Sequence, residues 1–228
     1  MQHPVSHSRH SKQSVALFKG LTEEQISAIV AAGHPRRYTP TTPIIRSDEP
    51  ALHLYLLQTG HVNFSRVAED GRQILLGRLV PADVFGLGSL VADTVRYIGT
   101  ADTVTESEVL IWERNCIRRL ATACPLLAEN ALRIALHYVG VFVKRHIALV
   151  SDTAEERLAY TLIQIGSRAG HMLPAGLEVD IKNEDLASLA DISVFTASRF
   201  LKSWEREGAL EKHRGKVLIR CPEKLLVA

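Results

Sequence analysis

Hydroxyl and guanidinium side chains that could bind a polyanion are concentrated near the carboxyl end of the chain. Residues 194–220 carry seven lysines and arginines against three acidic residues, a local excess of four positive charges. The whole chain of 228 residues, by contrast, has a formal net charge of only +2. Clustered cations neutralise phosphate groups, and serine and arginine side chains can also reach base edges. This stretch therefore predicts binding to nucleic acid.

The apolar spacing around this charge predicts two short helices joined by a tight turn. In the first helix, Leu186 and Ala190 recur at helical spacing after Asn183, a possible N-cap. Residues 191–192 interrupt the pattern, and Ser193 is a preferred N-cap for a second helix. Two helices in this order indicate a helix-turn-helix motif.

The second helix has one apolar stripe, and its polar and basic side chains point away from that stripe. Ala197, Phe200, Leu201 and Trp204 have the spacing of a buried face. The second helix of such a motif enters the major groove of DNA, and residues 210–220 predict a hairpin, or wing, that could contact phosphate. The predicted DNA-binding residues are Ser193, Val194, Phe195, Thr196, Ser198, Arg199 and Lys202 on the helix, and Lys212, Arg214 and Lys216 on the wing.

The middle of the chain reads as a series of short strands. From about residue 36 to residue 112, apolar or alternating runs are separated by turn residues, including Asp70-Gly71, a strong hairpin signal. Even spacing of this kind predicts an antiparallel β-roll of the double-sheet type, which usually encloses a pocket. Before it, the chain predicts an amphipathic helix over 17–32 with Thr22 as a possible N-cap and Gln25 three residues on.

A long amphipathic helix follows the predicted roll. Pro125 opens it and the pattern continues to about residue 150, which gives an apolar seam too long for its own domain to cover. A second, parallel copy of the same helix is the simplest partner, so we expect a homodimer. The alternative is a helix packed only on its own domain. The predicted interface residues are Ala128, Ala131, Leu132, Ala135, Val139, Phe142, His146 and Leu149.

The predicted fold class is α+β, with four segments. Residues 1–14 form a disordered tail, residues 15–124 the β-roll sensor domain, residues 125–150 the dimerisation helix and residues 151–228 a winged helix-turn-helix domain. The polar N-terminus lacks the apolar core of a signal peptide and no uninterrupted apolar run spans a membrane, so we expect a cytoplasmic protein without membrane contact. Its three cysteines, Cys116, Cys124 and Cys221, lack C-x-x-C spacing, which favours reduced thiols.

This arrangement resembles the cyclic AMP receptor protein/fumarate-nitrate reductase regulator (CRP/FNR) superfamily of bacterial transcription factors. The supporting motifs are F-x-x-L at 18–21, Gly60, P-A-D-V-F-G at 81–86 and I-S-V-F-T-A-S-R at 192–199. The resemblance covers nearly the whole chain from Phe18. It implies a cyclic-nucleotide-binding-like roll, a homodimer on double-stranded DNA with a pseudo-palindromic site, RNA polymerase as a further partner, and no catalytic residues.

The effector pocket implied by the resemblance departs from the pattern of cyclic-nucleotide binders. Leu87 follows Gly86 where those relatives place a glutamate for the ribose hydroxyl, and Tyr97 follows Arg96 where they place a serine. We therefore expect a signal other than cyclic AMP. The residues implied to line the pocket are Phe85, Gly86, Leu87, Gly88, Ser89, Arg96, Tyr97, Tyr138, Phe142 and His146.

Other occupants of the roll stay open. An iron-sulfur cluster is not expected, because it needs four thiolates and the chain has three cysteines. Haem, sensing nitric oxide or carbon monoxide, is an alternative because four histidines lie in the sensor half. Two further alternatives are a regulator with no ligand and a cupin-like metal enzyme. The last needs a converging His/Glu cluster, and residues 36–112 contain no His-x-His pair, so we expect no metal site and no enzyme activity. The histidines in question are His53, His61, His137 and His146.

The recognition helix departs from its relatives at one position. Many relatives carry a glutamate where this chain has Phe195, and that glutamate accepts hydrogen bonds from cytosine. A phenylalanine can only make apolar contact, for instance with a thymine methyl group. Arg199 remains suited to a bidentate contact with guanine. The resemblance therefore implies a DNA site different from that of the usual relatives.

Overall fold

The computed structural model describes residues 15–93 and 95–226, so the predicted tail at 1–14 lies outside the described residues. Contacts divide the chain into two units, which are described separately. The first comprises the chain up to Arg66 together with Leu79–Val139, and the second comprises Val67–Arg78 together with the chain from Gly140 onward. Helix α3 therefore contributes residues to both units.

The helices and strands of the described residues are as follows. The helices are α1 (Glu23–Ala31), α2 (Arg114–Ala123), α3 (Pro125–Ser151), α4 (Ala154–Ala169), α5 (Asn183–Leu189), α6 (Val194–Arg206) and α7 (Pro222–Leu225), with 3-10 turns at Ala16–Phe18 and Leu87–Leu90. The strands are β1 (His34–Tyr38), β2 (Pro43–Ile45), β3 (His53–Thr59), β4 (Val62–Val67), β5 (Gln73–Leu79), β6 (Val84–Phe85), β7 (Thr100–Thr103), β8 (Ser107–Glu113), β9 (His171–Leu173), β10 (Gly176–Asp180), β11 (Leu210–His213) and β12 (Lys216–Ile219).

The predicted α+β fold with an N-terminal antiparallel roll is confirmed. Two four-stranded sheets form the roll, with strand orders β1-β8-β3-β6 and β2-β7-β4-β5. Strands β1 and β3 both pair antiparallel with β8, and β2 and β4 both pair antiparallel with β7. The sequence did not predict β1, whose residues are exposed except for Tyr38, or β6, which has only two residues. Neither strand shows the apolar alternation on which the prediction rested.

The first helix is shorter than predicted. A 3-10 turn ends at Phe18, Gly20 adopts the left-handed conformation at φ +77°, and α1 begins only at Glu23. Glycine enters this region without steric cost, so the chain reverses there instead of continuing a helix from residue 17. The predicted cap is confirmed, because Thr22 and Gln25 form a reciprocal capping box.

The first unit packs α1, α3 and the β1-β8-β3-β6 sheet around one apolar core. Trp112 is fully buried and its indole Nε1 donates to the carbonyl of Ile29 at 2.7 Å. On α3, Leu127 and Ile134 face this core. Between them the buried Asn130 donates its amide to the carbonyls of Leu17 and Lys19 at 3.0 and 2.8 Å. Asn130 therefore fastens the first described segment of the chain to α3.

The second unit is built around the helix-turn-helix and a sheet of order β11-β12-β10-β9. Its helix α4 begins with a capping box between Thr153 and Glu156. Leu158 of α4 and Trp204 of α6 belong to the same buried cluster. The strands β9 and β10 were not predicted. All three residues of β9 are exposed, so it lacks the alternation of a half-buried strand.

Helix α3 is apolar on more than one side. By length and composition alone it could cross a membrane, since its most apolar window has a mean hydropathy of 1.3. The sequence showed no uninterrupted apolar run, because Arg133, Lys144 and Arg145 interrupt the helix. The core helix of a soluble protein can meet the same criterion, so one such helix is weak evidence for a membrane segment.

Replacing Asn130 by alanine should reduce stability. The substitution removes two hydrogen bonds and leaves the carbonyls of Leu17 and Lys19 without that donor, which should lower the free energy of unfolding by about 2 kcal/mol. Urea unfolding of the purified protein measures the loss. Glu129→Ala is the matched control, because Glu129 forms only an exposed pair with Arg133 and should change stability by less than about 1 kcal/mol. Equal effects of the two substitutions would contradict this assignment.

Candidate nucleic-acid interface

The turn between α5 and α6 sets the direction of the second helix. Asp191 adopts the left-handed conformation at φ +53°, and the amide of Ile192 donates to the carbonyl of Ala187 at 3.0 Å. The predicted N-cap of α6 is confirmed, since the Ser193 hydroxyl accepts from the amide of Thr196 at 3.0 Å. These bonds fix the first turn of the helix predicted to read DNA.

The predicted N-cap of α5 is wrong. Asn183 is the first helical residue and Lys182 occupies the N-cap position without a side-chain bond to the helix. The amide of Asn183 instead lies 3.4 Å from the hydroxyl of Ser198 on α6. The sequence alone could not show whether Asn183 is the N-cap or the first helical residue. Its side chain contacts Ser198 on the next helix, and local spacing does not reveal such a contact.

Helix α6 divides into a buried and an exposed face as predicted. Ala197, Leu201 and Trp204 are at most 1% exposed, and Phe200 packs against the same core. On the opposite face, Phe195 is 80% exposed. This division leaves an aromatic ring on the surface at the N-terminal end of the helix, where burial would normally be favoured.

The exposed face of α6 carries charge that the fold does not neutralise. Arg199 and Lys202 are exposed and take part in none of the ion pairs found among the described residues. The Arg199 guanidinium lies 5.1 Å from the centre of the Phe200 ring, a cation–π distance. Val194 is also exposed, whereas Thr196 and Ser198 are half-buried. This face can therefore offer donors and apolar contact to a ligand.

The wing is confirmed as a hairpin, and its two lysines differ in their ion pairs. Arg214 at its tip is exposed, and Lys212 is half-buried. Lys216 places its Nζ 2.7 Å from Glu178 Oε1 and 3.2 Å from Asp180 Oδ1, and these two carboxylates raise its pKa. Lys216 therefore already balances acidic groups of β10, and its predicted contact with phosphate competes with that pairing.

A further basic residue beside the wing was missed by the sequence reasoning. The amide of Ile181 donates to the carbonyl of Gly215 at 3.0 Å, which brings the exposed Lys182 next to the wing tip. The signal that could have found it is a lysine immediately before the first helix of the motif. Without β10, which was not predicted, that lysine had no reason to be assigned to the wing.

In the first unit, aromatic side chains fill part of the roll interior. Phe85 stacks on Tyr55 with ring centres 5.0 Å apart, and Tyr38 and Tyr97 belong to the same buried cluster. Burial raises the pKa of the phenol of Tyr97, which exchanges hydrogen bonds with the backbone of His53. Burial likewise raises the pKa of Tyr55. These four residues are called the aromatic cluster below.

Five of the predicted pocket residues, 85–89, are consecutive in the chain and lie where β6 leads into a 3-10 turn. Gly86 has φ +78°, and a side chain there would collide with the His53 carbonyl, so glycine is required. Ser89 is fully buried and its hydroxyl has no hydrogen-bond partner among the described residues. Arg96 is exposed and donates to the carbonyl of Asp48. Leu87 and Gly88 are half-buried.

The remaining predicted pocket residues lie on α3. The hydroxyl of Tyr138 donates to the carbonyl of Val84 at 3.1 Å, and this residue belongs to the first unit. Phe142 and His146 belong to the second unit and are exposed. The other histidines considered for haem are not in the buried aromatic cluster: His53 and His61 are half-buried and His137 is exposed. Among the described residues, no three histidine, cysteine or acidic side chains form a group that could hold a metal.

The exposed apolar side of α3 is shifted from the predicted stripe. Ala131 is only 5% exposed and packs in the first-unit core, so it does not face outward. Ala128 and Leu149 are exposed and Ala135 is half-buried. Leu136 and Val143 were not predicted and are 61% and 52% exposed. The residues that form the exposed series are Leu132, Leu136, Val139, Val143, His146 and Val150, and they are called the α3 seam below.

Comparison with known proteins gives matches along both units. The family described as Cyclic nucleotide-binding domain matches residues 35–124, and the Crp-like helix-turn-helix domain matches residues 156–227. The chain is 26% identical over 211 residues to the CRP-like cAMP-activated global transcriptional regulator of Mycobacterium tuberculosis, covering 92% of this chain and 94% of that protein. It is 28% identical over 204 residues to the Cyclic AMP receptor protein of Thermus thermophilus, covering 90% and 92%.

A solved structure gives the same fold. FixK2 from Bradyrhizobium japonicum superposes with a TM-score of 0.74 at 22% identity, covering 85% of this chain and 95% of that chain. The fold, the two matching families and the exposed reading helix agree. The chain belongs to the cyclic AMP receptor protein/fumarate-nitrate reductase regulator superfamily and is a DNA-binding transcriptional regulator.

Proposed function

We propose that this protein is a homodimer that binds a specific pseudo-palindromic DNA site and responds, through its β-roll, to a small signal other than cyclic AMP. One observation carries the proposal. Helix α6 keeps Phe195, Arg199 and Lys202 exposed, with both cations outside the ion pairs of the described residues. Such a face meets base edges and phosphates in the major groove, and the protein acts by binding rather than by catalysis.

Sequence preference comes from two side chains with different chemistry. Arg199 has the planar fork that donates to O6 and N7 of guanine. Phe195 has no acceptor, so it contributes apolar contact with a thymine methyl group. Val194 extends this apolar contact, because it is exposed on the same first turn. The preferred half-site therefore differs from one read by a glutamate at the Phe195 position.

Phosphate contacts come from the wing and the start of α5. Lys212, Arg214 and Lys182 carry no ion pair among the described residues, and the last two are exposed beside each other at the wing tip. Phosphate contacts set position and affinity without reading sequence. Lys216 contributes less, because Glu178 and Asp180 already neutralise its charge.

The α3 seam supports a parallel homodimer. Its six positions are separated by four, three, four, three and four residues, the a/d repeat of a two-stranded coiled coil. Apart from His146, every seam residue is apolar and at least half exposed in the single chain. Exposed apolar surface of this kind is stabilised by a partner, and an identical helix presents the same repeat. Phe142 flanks this repeat.

A dimer of this kind has consequences for its DNA site and its partners. Two copies of α6 related by a two-fold axis read half-sites about 34 Å, or one helical turn, apart. Because a transcriptional regulator acts at promoters, RNA polymerase is the expected protein partner. The expected location is the cytoplasm. Arg199 and its copy would then specify the two symmetric positions of the site.

The roll interior supports a signal other than cyclic AMP. Tyr97 occupies the interior beside Phe85 with its hydroxyl bonded to the His53 backbone, and Leu87 offers no group for a ribose hydroxyl. Arg96, the candidate phosphate ligand, is engaged with the Asp48 carbonyl. One relative is described as cAMP-activated, and under this proposal the chain responds to a signal different from that relative's.

Arg199→Ala should weaken binding to the preferred DNA site. Loss of one bidentate contact should cost about 1–3 kcal/mol on a duplex selected by the wild-type protein from a randomised pool, and should relax one position of the site. Fluorescence anisotropy at fixed salt measures the affinity, and a repeated selection reads the position. Arg37→Ala is the control, because it removes an exposed arginine from β1 of the roll and leaves α6 intact. An unchanged site after Arg199→Ala would contradict the assignment.

Val139→Glu should convert the dimer to monomer. The substitution places two carboxylates against each other at a d position, where an apolar pair is expected. Sedimentation velocity measures the mass, and binding to a two-half-site duplex should weaken in parallel. The matched control is Lys144→Glu, at the outward b position of the same repeat, which should stay dimeric. A dimeric Val139→Glu protein would place the interface elsewhere.

Cyclic AMP should not bind. Isothermal titration of the purified protein with cyclic AMP is expected to give no heat of binding, and DNA affinity should be the same with and without it, because Tyr97 and Leu87 occupy the positions of its ligands. The relative from Mycobacterium tuberculosis, described as cAMP-activated, serves as the positive control. Saturable binding by this protein would show that the roll opens a nucleotide site despite these residues.

A further inference from the structure

The tip of the β4–β5 hairpin belongs to the DNA-binding unit. Residues Val67–Arg78 cluster with the chain from Gly140 onward, although β4 begins and β5 ends in the first unit. Within the second unit, the hairpin meets the first helix of the helix-turn-helix. The amide of Leu75 donates to the hydroxyl of Ser188 on α5 at 3.1 Å.

Arg145 on α3 joins this hairpin to the turn of the helix-turn-helix. Its Nε and Nη2 donate to the two carboxylate oxygens of Asp191 at 2.6 and 2.8 Å, a bidentate pair. Nη1 donates to the carbonyls of Leu75 and Leu76 at 3.1 and 3.3 Å, and Nη2 also donates to Ser188 at 2.9 Å. The five N–H groups of the guanidinium thus face five acceptors on three segments of the chain.

The carboxylate that Arg145 holds is placed to control α6. Asp191 adopts φ +53° and lies two residues before Ser193, the N-cap of the reading helix. A non-glycine residue in this conformation needs support from its surroundings. Arg157 adds support by donating to the carbonyls of Ala190 and Asp191 at 3.1 and 3.4 Å. The direction of α6 therefore depends on side chains outside the two-helix motif.

A second arginine fastens the hairpin to the other end of α5. Arg78 is 7% exposed, and its Nη2 lies 2.6 Å from Asp185 Oδ2 while its Nη1 donates to the Asp180 carbonyl at 2.8 Å. Burial lowers the pKa of Arg78, and the carboxylate of Asp185 opposes that shift. A buried pair of this kind becomes costly to break, because either partner alone would be left desolvated.

These contacts leave the reading face open. With the hairpin in place, Phe195 is 80% exposed and both Arg199 and Lys202 remain exposed. The hairpin bonds instead to the α5 side of the motif, through Asp185 and Ser188. It therefore supports the motif without covering the side chains that would touch DNA.

We propose that Arg145 is a positioning residue of the DNA-reading module: by bonding Asp191, Ser188 and the hairpin carbonyls together, it makes the placement of α6 depend on the β4–β5 hairpin. This inference rests on the proposed function. The hairpin strands continue into the sheet of the sensor unit, so a change in their path reaches the turn before α6 through one guanidinium. Arg145 itself touches no DNA and acts only through Asp191.

The test compares Arg145→Lys and Asp191→Asn, singly and together. In Arg145→Lys, lysine keeps the positive charge but cannot donate the bidentate pair of hydrogen bonds. In Asp191→Asn, asparagine keeps the size and shape of the side chain and tolerates the left-handed conformation. Each single variant should bind the duplex selected by the wild-type protein about tenfold more weakly. Binding to a scrambled duplex and the salt dependence of binding should stay unchanged, because no phosphate contact is lost. The double variant should lose no more than either single one.

The matched control is Arg114→Lys. Arg114 likewise donates through its guanidinium to two backbone carbonyls, those of Val91 and Ala92, but within the first unit and outside the β4–β5 hairpin, so its loss should leave DNA affinity unchanged. Thermal unfolding checks that all variants are folded. Equal losses on the selected and scrambled duplexes, or single losses that add in the double variant, would overturn the role of Arg145.

Amide hydrogen exchange without DNA separates this inference from the proposed function. Arg145→Lys should speed exchange at residues 191–197 and at the hairpin residues 73–78, and should leave the rest of the second unit as in the wild type. Unchanged exchange at both segments would sink the proposal, whatever the DNA result. A wild-type protein with no preferred duplex would instead remove the proposed function, and the exchange result would still decide whether Arg145 joins the hairpin to the turn.

Discussion

Helix α3, with 27 residues, carries three groups of side chains that make different contacts, and much of the structure depends on this one helix. Its first half buries Leu127 and Ile134 in the roll core and uses Asn130 to hold the chain near Leu17. Its opposite side presents the apolar α3 seam. Its second half carries Arg145, whose guanidinium ends in the helix-turn-helix. The periodicity of the helix places these three groups of side chains on different faces.

The second helix of the helix-turn-helix has one face buried in the core and one face exposed to solvent. The buried side of α6, with Leu201 and Trp204 fully enclosed, provides the apolar burial that stabilises the motif. The other side can therefore carry Phe195 and uncompensated cations, which the core does not need. Lys216 shows the limit of reading function from charge alone, since its ammonium is used inside the fold by Glu178 and Asp180.

The roll keeps the backbone of a ligand-binding fold while changing what fills it. Gly86 retains the left-handed conformation and the close approach to the His53 carbonyl. Around it, the aromatic cluster supplies its own stacking and hydrogen bonding, with Tyr97 bonded to the His53 backbone and Phe85 stacked on Tyr55. Side chains of the protein itself thus fill this part of the roll interior.

Much of the fold could be predicted because its signals are local. The apolar stripe of α6, the N-cap at Ser193 and the capping box at Thr22 depend on neighbours three or four residues away, and each was predicted. The strands β1, β6, β9 and β10 were missed because they are short or exposed. Strands β1, β6 and β10 pair with strands distant in the chain, and the exposed β9 then pairs with the neighbouring β10.

The sequence by itself determined the class of protein: two helices with a buried stripe and a basic outer face, a series of strands before them, and a long apolar helix between. Only the tertiary structure decided which side chains are buried, which are paired and which remain exposed. It placed Ala131 in the core, moved the exposed seam to Leu136 and Val143, paired Lys216 with two carboxylates and brought Arg145 to Asp191. The reason is physical: periodicity along a chain specifies which face is apolar, whereas burial and pairing depend on partners that the chain meets only after folding.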